Sequence, residues 1–234
     1  MILLPRDDRR IILGRRGSAA AIPFSSVVFQ VINENGADTT TTFDDQSNSN
    51  HTVTAAGNIQ WDTDQAPVGL TSSALLDGAN DRLASPVAHA DFGWGTGDWT
   101  AEAFGRSTDI TIARSIFKLA NANYSVFINS DGSLRYWNNT SAVIISAAAA
   151  ISINTWYHIA LCKRLGNTRL FIDGGQVGLT YADSINYGAA GQIIVGEGGG
   201  ADDWIGWIAA ARFTKGVARY TANFTPPTLP YPTV

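Results

Sequence analysis

Short runs of β-branched and aromatic residues, broken roughly every 8–12 residues by Gly, Asn and Asp, fill this chain and leave little room for helices. Val27-Val28-Phe29-Gln30-Val31-Ile32 is one such run, and Trp99-Thr100-Ala101-Glu102-Ala103-Phe104 alternates with period two. Tyr124-Ser125-Val126-Phe127-Ile128-Asn129 and Leu134-Arg135-Tyr136-Trp137 flank Asp131-Gly132, a dipeptide that accepts the positive φ of a hairpin turn. Residues 156–163 and 168–173 flank Gly166-Asn167 in the same way, and Asp173-Gly174-Gly175 turns into residues 176–179. Residues 51–54, 58–61, 70–76, 192–195 and 204–213 read as further strands. The one helix-permissive run, 147–150, is too short to stand. About a dozen strands with this turn spacing predict an all-β fold, an antiparallel β-sandwich of jelly-roll type.

Composition points the same way. Of 234 residues only three are Lys and three are Glu, two of the best helix formers. Charged residues make up 15%, below the ~25% of an average soluble domain. A surface of Thr, Ser, Asn, Gly and Ala suits a protein that packs against copies of itself or against partners, so a homo-oligomer is expected. A net charge of −4 offers no field to attract nucleic acid. Cys162 stands alone, so no disulfide closes within the chain. The apolar stretch 143–153 is too short to cross a bilayer, and Arg6-Asp7-Asp8-Arg9-Arg10 interrupts any leader-like segment. Neither membrane insertion nor export is expected.

Residues 1–23 read as an extended basic arm. Arg6, Arg9, Arg10, Arg15 and Arg16 against two Asp leave it at +3; with −4 overall, the remainder carries −7. An arm with no core of its own becomes ordered by docking, on its own domain or on a neighbouring subunit. Residues 24–227 are expected to form the sandwich, and 228–234 a Pro-rich tail. Four of the eight prolines lie within 226–232, a stretch that cannot join a central strand.

Several motifs in order then suggest a family. They are Asn154-Thr155-Trp156-Tyr157-His158-Ile159-Ala160, Arg169-Leu170-Phe171-Ile172-Asp173-Gly174, Gly206-Trp207-Ile208, Arg212-Phe213-Thr214-Lys215-Gly216-Val217-Ala218-Arg219-Tyr220 and Phe224-Thr225-Pro226-Pro227. Upstream, residues 95–104 look like an opening core strand and 76–83 like the hairpin before it. The series, over residues 27–227, resembles the laminin-G-like, concanavalin A-like jelly-roll domains common in bacteriophage structural proteins. The resemblance implies a binding or structural module, and it implies that Trp99, Trp156 and Trp207 are core residues. Where such domains often carry acidic residues on the last strand, this chain has Ala209-Ala210-Ala211, which removes the carboxylates an ion or polar contact would use there.

Candidate chemistry is sparse. Sandwich-fold glycosidases need two carboxylates; Glu34, Glu102 and Glu197 never form a Glu-x-Asp-x-x-Glu run, and Asp62/Asp64 sit beside a polar loop. His51, His89 and His158 accompany no Gly-x-Ser-x-Gly. His158 and Cys162 share a strand face and read as packing residues. Calcium, the one cofactor considered, would find Asp202 and Asp203, then Asp77 and Asp81. Glycan recognition needs an exposed aromatic beside amides and carboxylates, which Trp137, Asn138 and Asn139, and Tyr181 and Tyr187, offer. Tyr136 and Trp137 must point opposite ways, one into the core and one out.

The expectation is a non-enzymatic bacteriophage virion protein, assembled in the host cytoplasm. It would be a head decoration or cement protein, or a tail or fibre adhesin. Its partners would be other virion proteins, held through the basic arm, and host-surface glycans. The alternatives are a glycan hydrolase or depolymerase and a cellular carbohydrate-binding lectin.

Overall fold

The computed structural model describes residues 23–33, 37–120, 123–199 and 201–231. These residues form fifteen strands: β1 (Val27–Val31), β2 (Thr54–Ala56), β3 (Gln60–Asp62), β4 (Ser73–Asp77), β5 (Arg82–Ala84), β6 (Trp99–Ser107), β7 (Arg114–Leu119), β8 (Tyr124–Ile128), β9 (Leu134–Trp137), β10 (Ala142–Ile145), β11 (Tyr157–Arg164), β12 (Asn167–Ile172), β13 (Gly175–Ala182), β14 (Ile194–Val195) and β15 (Ile205–Lys215). Single 3-10 turns span Phe24–Ser26 and Ala90–Phe92. No helix among the described residues is long and apolar enough to cross a membrane.

The strands make two antiparallel sheets, and the chain is the all-β sandwich its pattern predicts. The first sheet runs β13-β12-β11-β6-β15-β4-β3, with β1 also paired to β15. The second runs β10-β9-β8-β7-β14-β5-β2. Period-two alternation places Trp99, Ala101 and Ala103 of β6, Ile159 and Leu161 of β11 and Phe213 of β15 in the space between the sheets. Tyr136, Val126, Phe117, Val195 and Leu83 close it from the second sheet.

Trp94 and Trp204 join Trp99 in the core; Trp156 and Trp207, expected there, are half-buried on the outer face of the first sheet. Trp207 donates its indole N–H to Asp62 (3.0 Å) and carries the Arg106 guanidinium 4.9 Å above its ring.

Turn chemistry sets the registers. Arg164 pairs with Asn167, so the β11–β12 loop is Leu165-Gly166, one residue earlier than the expected Gly166-Asn167. Both loop residues have positive φ (47° and 71°), as a type I′ turn requires. Asp173-Gly174 (47° and 77°) repeats the arrangement between β12 and β13.

The basic-arm residues Arg6, Arg9, Arg10, Arg15 and Arg16 lie outside the described residues. Residues up to Tyr231 are packed down: Leu229 and Tyr231 are buried beside Ile32 and Ala210, and Tyr220 and Phe224 cover Ala160, Cys162 and Phe171. Residues 217–231 thus cap the outer face of the first sheet.

Candidate functional site

The outer face of the second sheet is open. One antiparallel rung crosses six of its strands through Trp137, Ser125, Lys118, Ile194, Ala84 and Thr54. The neighbouring rung, from Tyr136 to Leu83, is the inward one, so alternation turns this whole row outward. At ~4.8 Å per strand the row is about 24 Å long. A cleft of about 370 Å³ occupies its β9 end, lined by Trp137, Asn139, Ser125, Lys118, Asn123, Ser115, Phe127, Gly198 and Asp202. A second, larger and open hollow of about 710 Å³ lies toward β2, lined among others by Thr54, Arg82, Ala84, Gln192, Ile194 and Glu197.

The loop after β14 walls the first cleft, and Asp203 holds it. Its carboxylate accepts the backbone N–H groups of Gly198 and Asn80 (2.9 Å each), while Arg114 donates to the Asp203 and Ala201 carbonyls. Ser115 N–H donates to the Asp202 carbonyl (2.9 Å). Lys118 extends beneath the loop and donates to the Gly198 carbonyl (2.6 Å). Burial draws its pKa below the usual lysine value, against the pull of Glu197, Asp203 and Asp202. Arg82 and Glu197 pair at 2.7 Å on the other side of the loop.

The residues singled out from sequence separate here. Trp137 (39% exposed) and Asn139 line the cleft, while Tyr136 is the core member of that pair. Asn138 spends its carbonyl oxygen on the turn N–H groups of Thr140 and Ser141, and its amide donates to Tyr181 (3.2 Å). Tyr187 is buried (2%) and is not on the cleft: its hydroxyl donates to Asp183 (2.6 Å) and meets that of Tyr136 (2.6 Å). Asp183 also takes Thr168 (2.5 Å) and Lys163 (3.3 Å), so this cluster ties strand ends together. Of the calcium candidates, Asp202 is exposed at the cleft, whereas both oxygens of Asp203 are engaged by backbone N–H groups. Lys118 and Ser115 were missed because β7 does not alternate: a bulge between Ser115 and Phe117 sends Ile116 and Phe117 both inward.

The outer face of the first sheet holds a second, enclosed cluster. Glu102 is fully buried and accepts from Arg212 (2.8 Å), His158 Nε2 (3.0 Å) and Tyr220 (2.8 Å). Burial alone would raise its pKa, but Arg212 and His158 hold it at about 2. Cys162 is buried beside Thr100, and burial pushes its thiol up to about 12.

The family model described as "Concanavalin A-like lectin/glucanases superfamily" (Laminin_G_3) matches residues 77–218, more than half of the chain. The chain belongs to that superfamily. No curated protein matches it. Among solved structures, the botulinum neurotoxin serotype D binding domain superposes with a TM-score of 0.59 at 15% identity, over 86% of this chain and 50% of that one. This superfamily member thus spans about half the length of the toxin binding domain. Domain 4 of AbnA, an extracellular arabinanase from Geobacillus stearothermophilus in complex with arabinotriose, superposes at 0.55 and 15% identity over 82% and 94%. A Trypanosoma rangeli sialidase mutant displaying trans-sialidase activity does so at 0.57 and 14% over 83% and 31%. At these identities the likeness is one of fold.

Proposed function

We propose that this chain is a non-catalytic carbohydrate-binding module whose ligand lies on the outer face of the second sheet. The observation that carries the reading is Trp137. Its half-exposed ring heads the cleft, ready to stack on the apolar face of a sugar, with Asn139, Asn123, Ser125, Asp202 and Lys118 around it to meet hydroxyls. The same fold in an arabinanase domain in complex with arabinotriose supports the ligand class. Binding without catalysis is supported by the carboxylates: Glu102 is enclosed beneath the C-terminal segment and Glu197 is paired with Arg82.

The finer reading places this module on a bacteriophage particle, as a head decoration or a tail or fibre adhesin. It rests on the resemblance carried by residues 212–220 and on the Lys- and Glu-poor surface. Mass spectrometry of purified particles tests it: hundreds of copies mean the head, a few to a few dozen the tail, and none rejects the assignment.

A glycan array probed with the full chain, followed by calorimetry on the best ligand, tests the binding. The expected result is saturable binding that Trp137→Ala weakens at least ten-fold without lowering the melting temperature. An array at background, or a Trp137→Ala variant that binds like the native chain, rejects the site.

A further inference from the structure

Two histidines and an aspartate that the cleft does not use converge beside one edge of the second sheet. His51 stands just before β2, while His89 and Asp91 follow β5, the strand that β2 pairs with. One imidazole nitrogen from each histidine and one carboxylate oxygen of Asp91 lie within 4.8 Å of one another. His51 Nε2 is 2.9 Å from Asp91 Oδ2, and His89 Nδ1 is 4.0 Å from the same oxygen. We propose that His51, His89 and Asp91 form a binding site for a divalent transition metal of the zinc class.

The spacing suits such an ion. Ligands at ~2.1 Å around a tetrahedral centre sit about 3.4 Å apart, and 2.9 and 4.0 Å straddle that value. The donor set also selects. Two imidazoles and one carboxylate suit zinc and its neighbours, whereas calcium takes six to eight oxygens. Three protein ligands leave a fourth position for water or another ligand.

The site is held from behind. His51 N–H donates to the buried carboxylate of Asp45 (2.9 Å), and His89 exchanges two backbone hydrogen bonds with Gly191 (3.0 Å each). The ring of Phe92 lies 4.9 Å from His51 and 5.7 Å from His89, limiting both imidazoles. Ser49 donates to Asp91 Oδ2 (3.1 Å), the kind of outer contact that orients a ligating carboxylate. Entry is open, since the side chains of His89 and Asp91 are 43% and 36% exposed. On loading, the His51 ring moves its proton from Nε2, where it now faces Asp91 Oδ2 (2.9 Å), to Nδ1, and His89 Nδ1 exchanges the Asp91 N–H it now accepts (3.2 Å) for the ion. The metal would then clamp the segment entering β2 to the turn after β5.

The test is calorimetric titration of the full chain with zinc chloride, with cobalt(II) absorption as a second readout. The background is clean: the third histidine, His158, and the single cysteine, Cys162, are both buried. The expected result is one zinc per chain and a raised melting temperature. His89→Ala and Asp91→Asn should each weaken binding at least ten-fold while keeping the native circular dichroism spectrum. Asp91→Asn keeps the shape of the side chain and remains decisive if His89→Ala fails to fold. No saturable zinc heat overturns the proposal, as does unchanged affinity in Asp91→Asn, or binding of calcium in preference to zinc.

Discussion

Arg212 faces Glu102 across β15 and β6 because Ala210, two residues earlier on the same strand, adopts a left-handed conformation (φ 51°). Ala209 pairs with Phe104, and Arg212, three residues on, pairs with Glu102, two residues back. The extra residue is a bulge. In unbroken pairing Arg212 would fall opposite Ala101 and point into the core. Ala210 and Ala211 are therefore where a bulge re-aims a charge. Glu102→Ala should leave Arg212 buried without its counter-charge, at a cost of about 3–5 kcal/mol, read as a lower urea midpoint.

The same pair predicts the acid response. The Glu102 pKa is about 2 in the folded chain against an ordinary 4.5. A depressed carboxylate stabilises the fold fully above its unfolded pKa and loses that contribution as pH falls toward the folded one. Stability should therefore decline between about pH 4.5 and 2, by on the order of 3 kcal/mol from this group. Urea unfolding across that range should show the decline, and Glu102→Gln should flatten the part due to this residue.

Leu165 sits at the first position of the type I′ loop with φ 47° and is 78% exposed. Leucine resists this conformation, whereas asparagine accepts it. Leu165→Asn should raise stability by about 1 kcal/mol. Its backbone N–H, which donates to Asp98, is retained in the variant. Thermal unfolding of the two chains checks this.

Tyr187→Phe should act oppositely to Trp137→Ala. Removing the hydroxyl deprives buried Asp183 and Tyr136 of a partner. The expected cost is about 1–3 kcal/mol in urea unfolding, with glycan affinity unchanged in calorimetry because the side chain does not line the cleft.

Much of this architecture was legible in local chemistry. Gly132 and Asp173-Gly174 announce their hairpins because tolerance of positive φ belongs to the residues themselves, and alternation in β6 and β11 follows from the pleat. β7 was not legible, since its bulge hides the alternation that would have turned Ser115 and Lys118 outward. Tyr136 and Trp137 could be assigned opposite faces from spacing alone, but which face is buried depends on the sheet packed opposite. The Glu102–Arg212 contact spans 110 residues and the His51–Asp91 contact 40. Local propensity reaches a few residues along the chain. Which distant side chains meet is set by strand register and by which face each sheet buries, and those are settled only when the two layers pack.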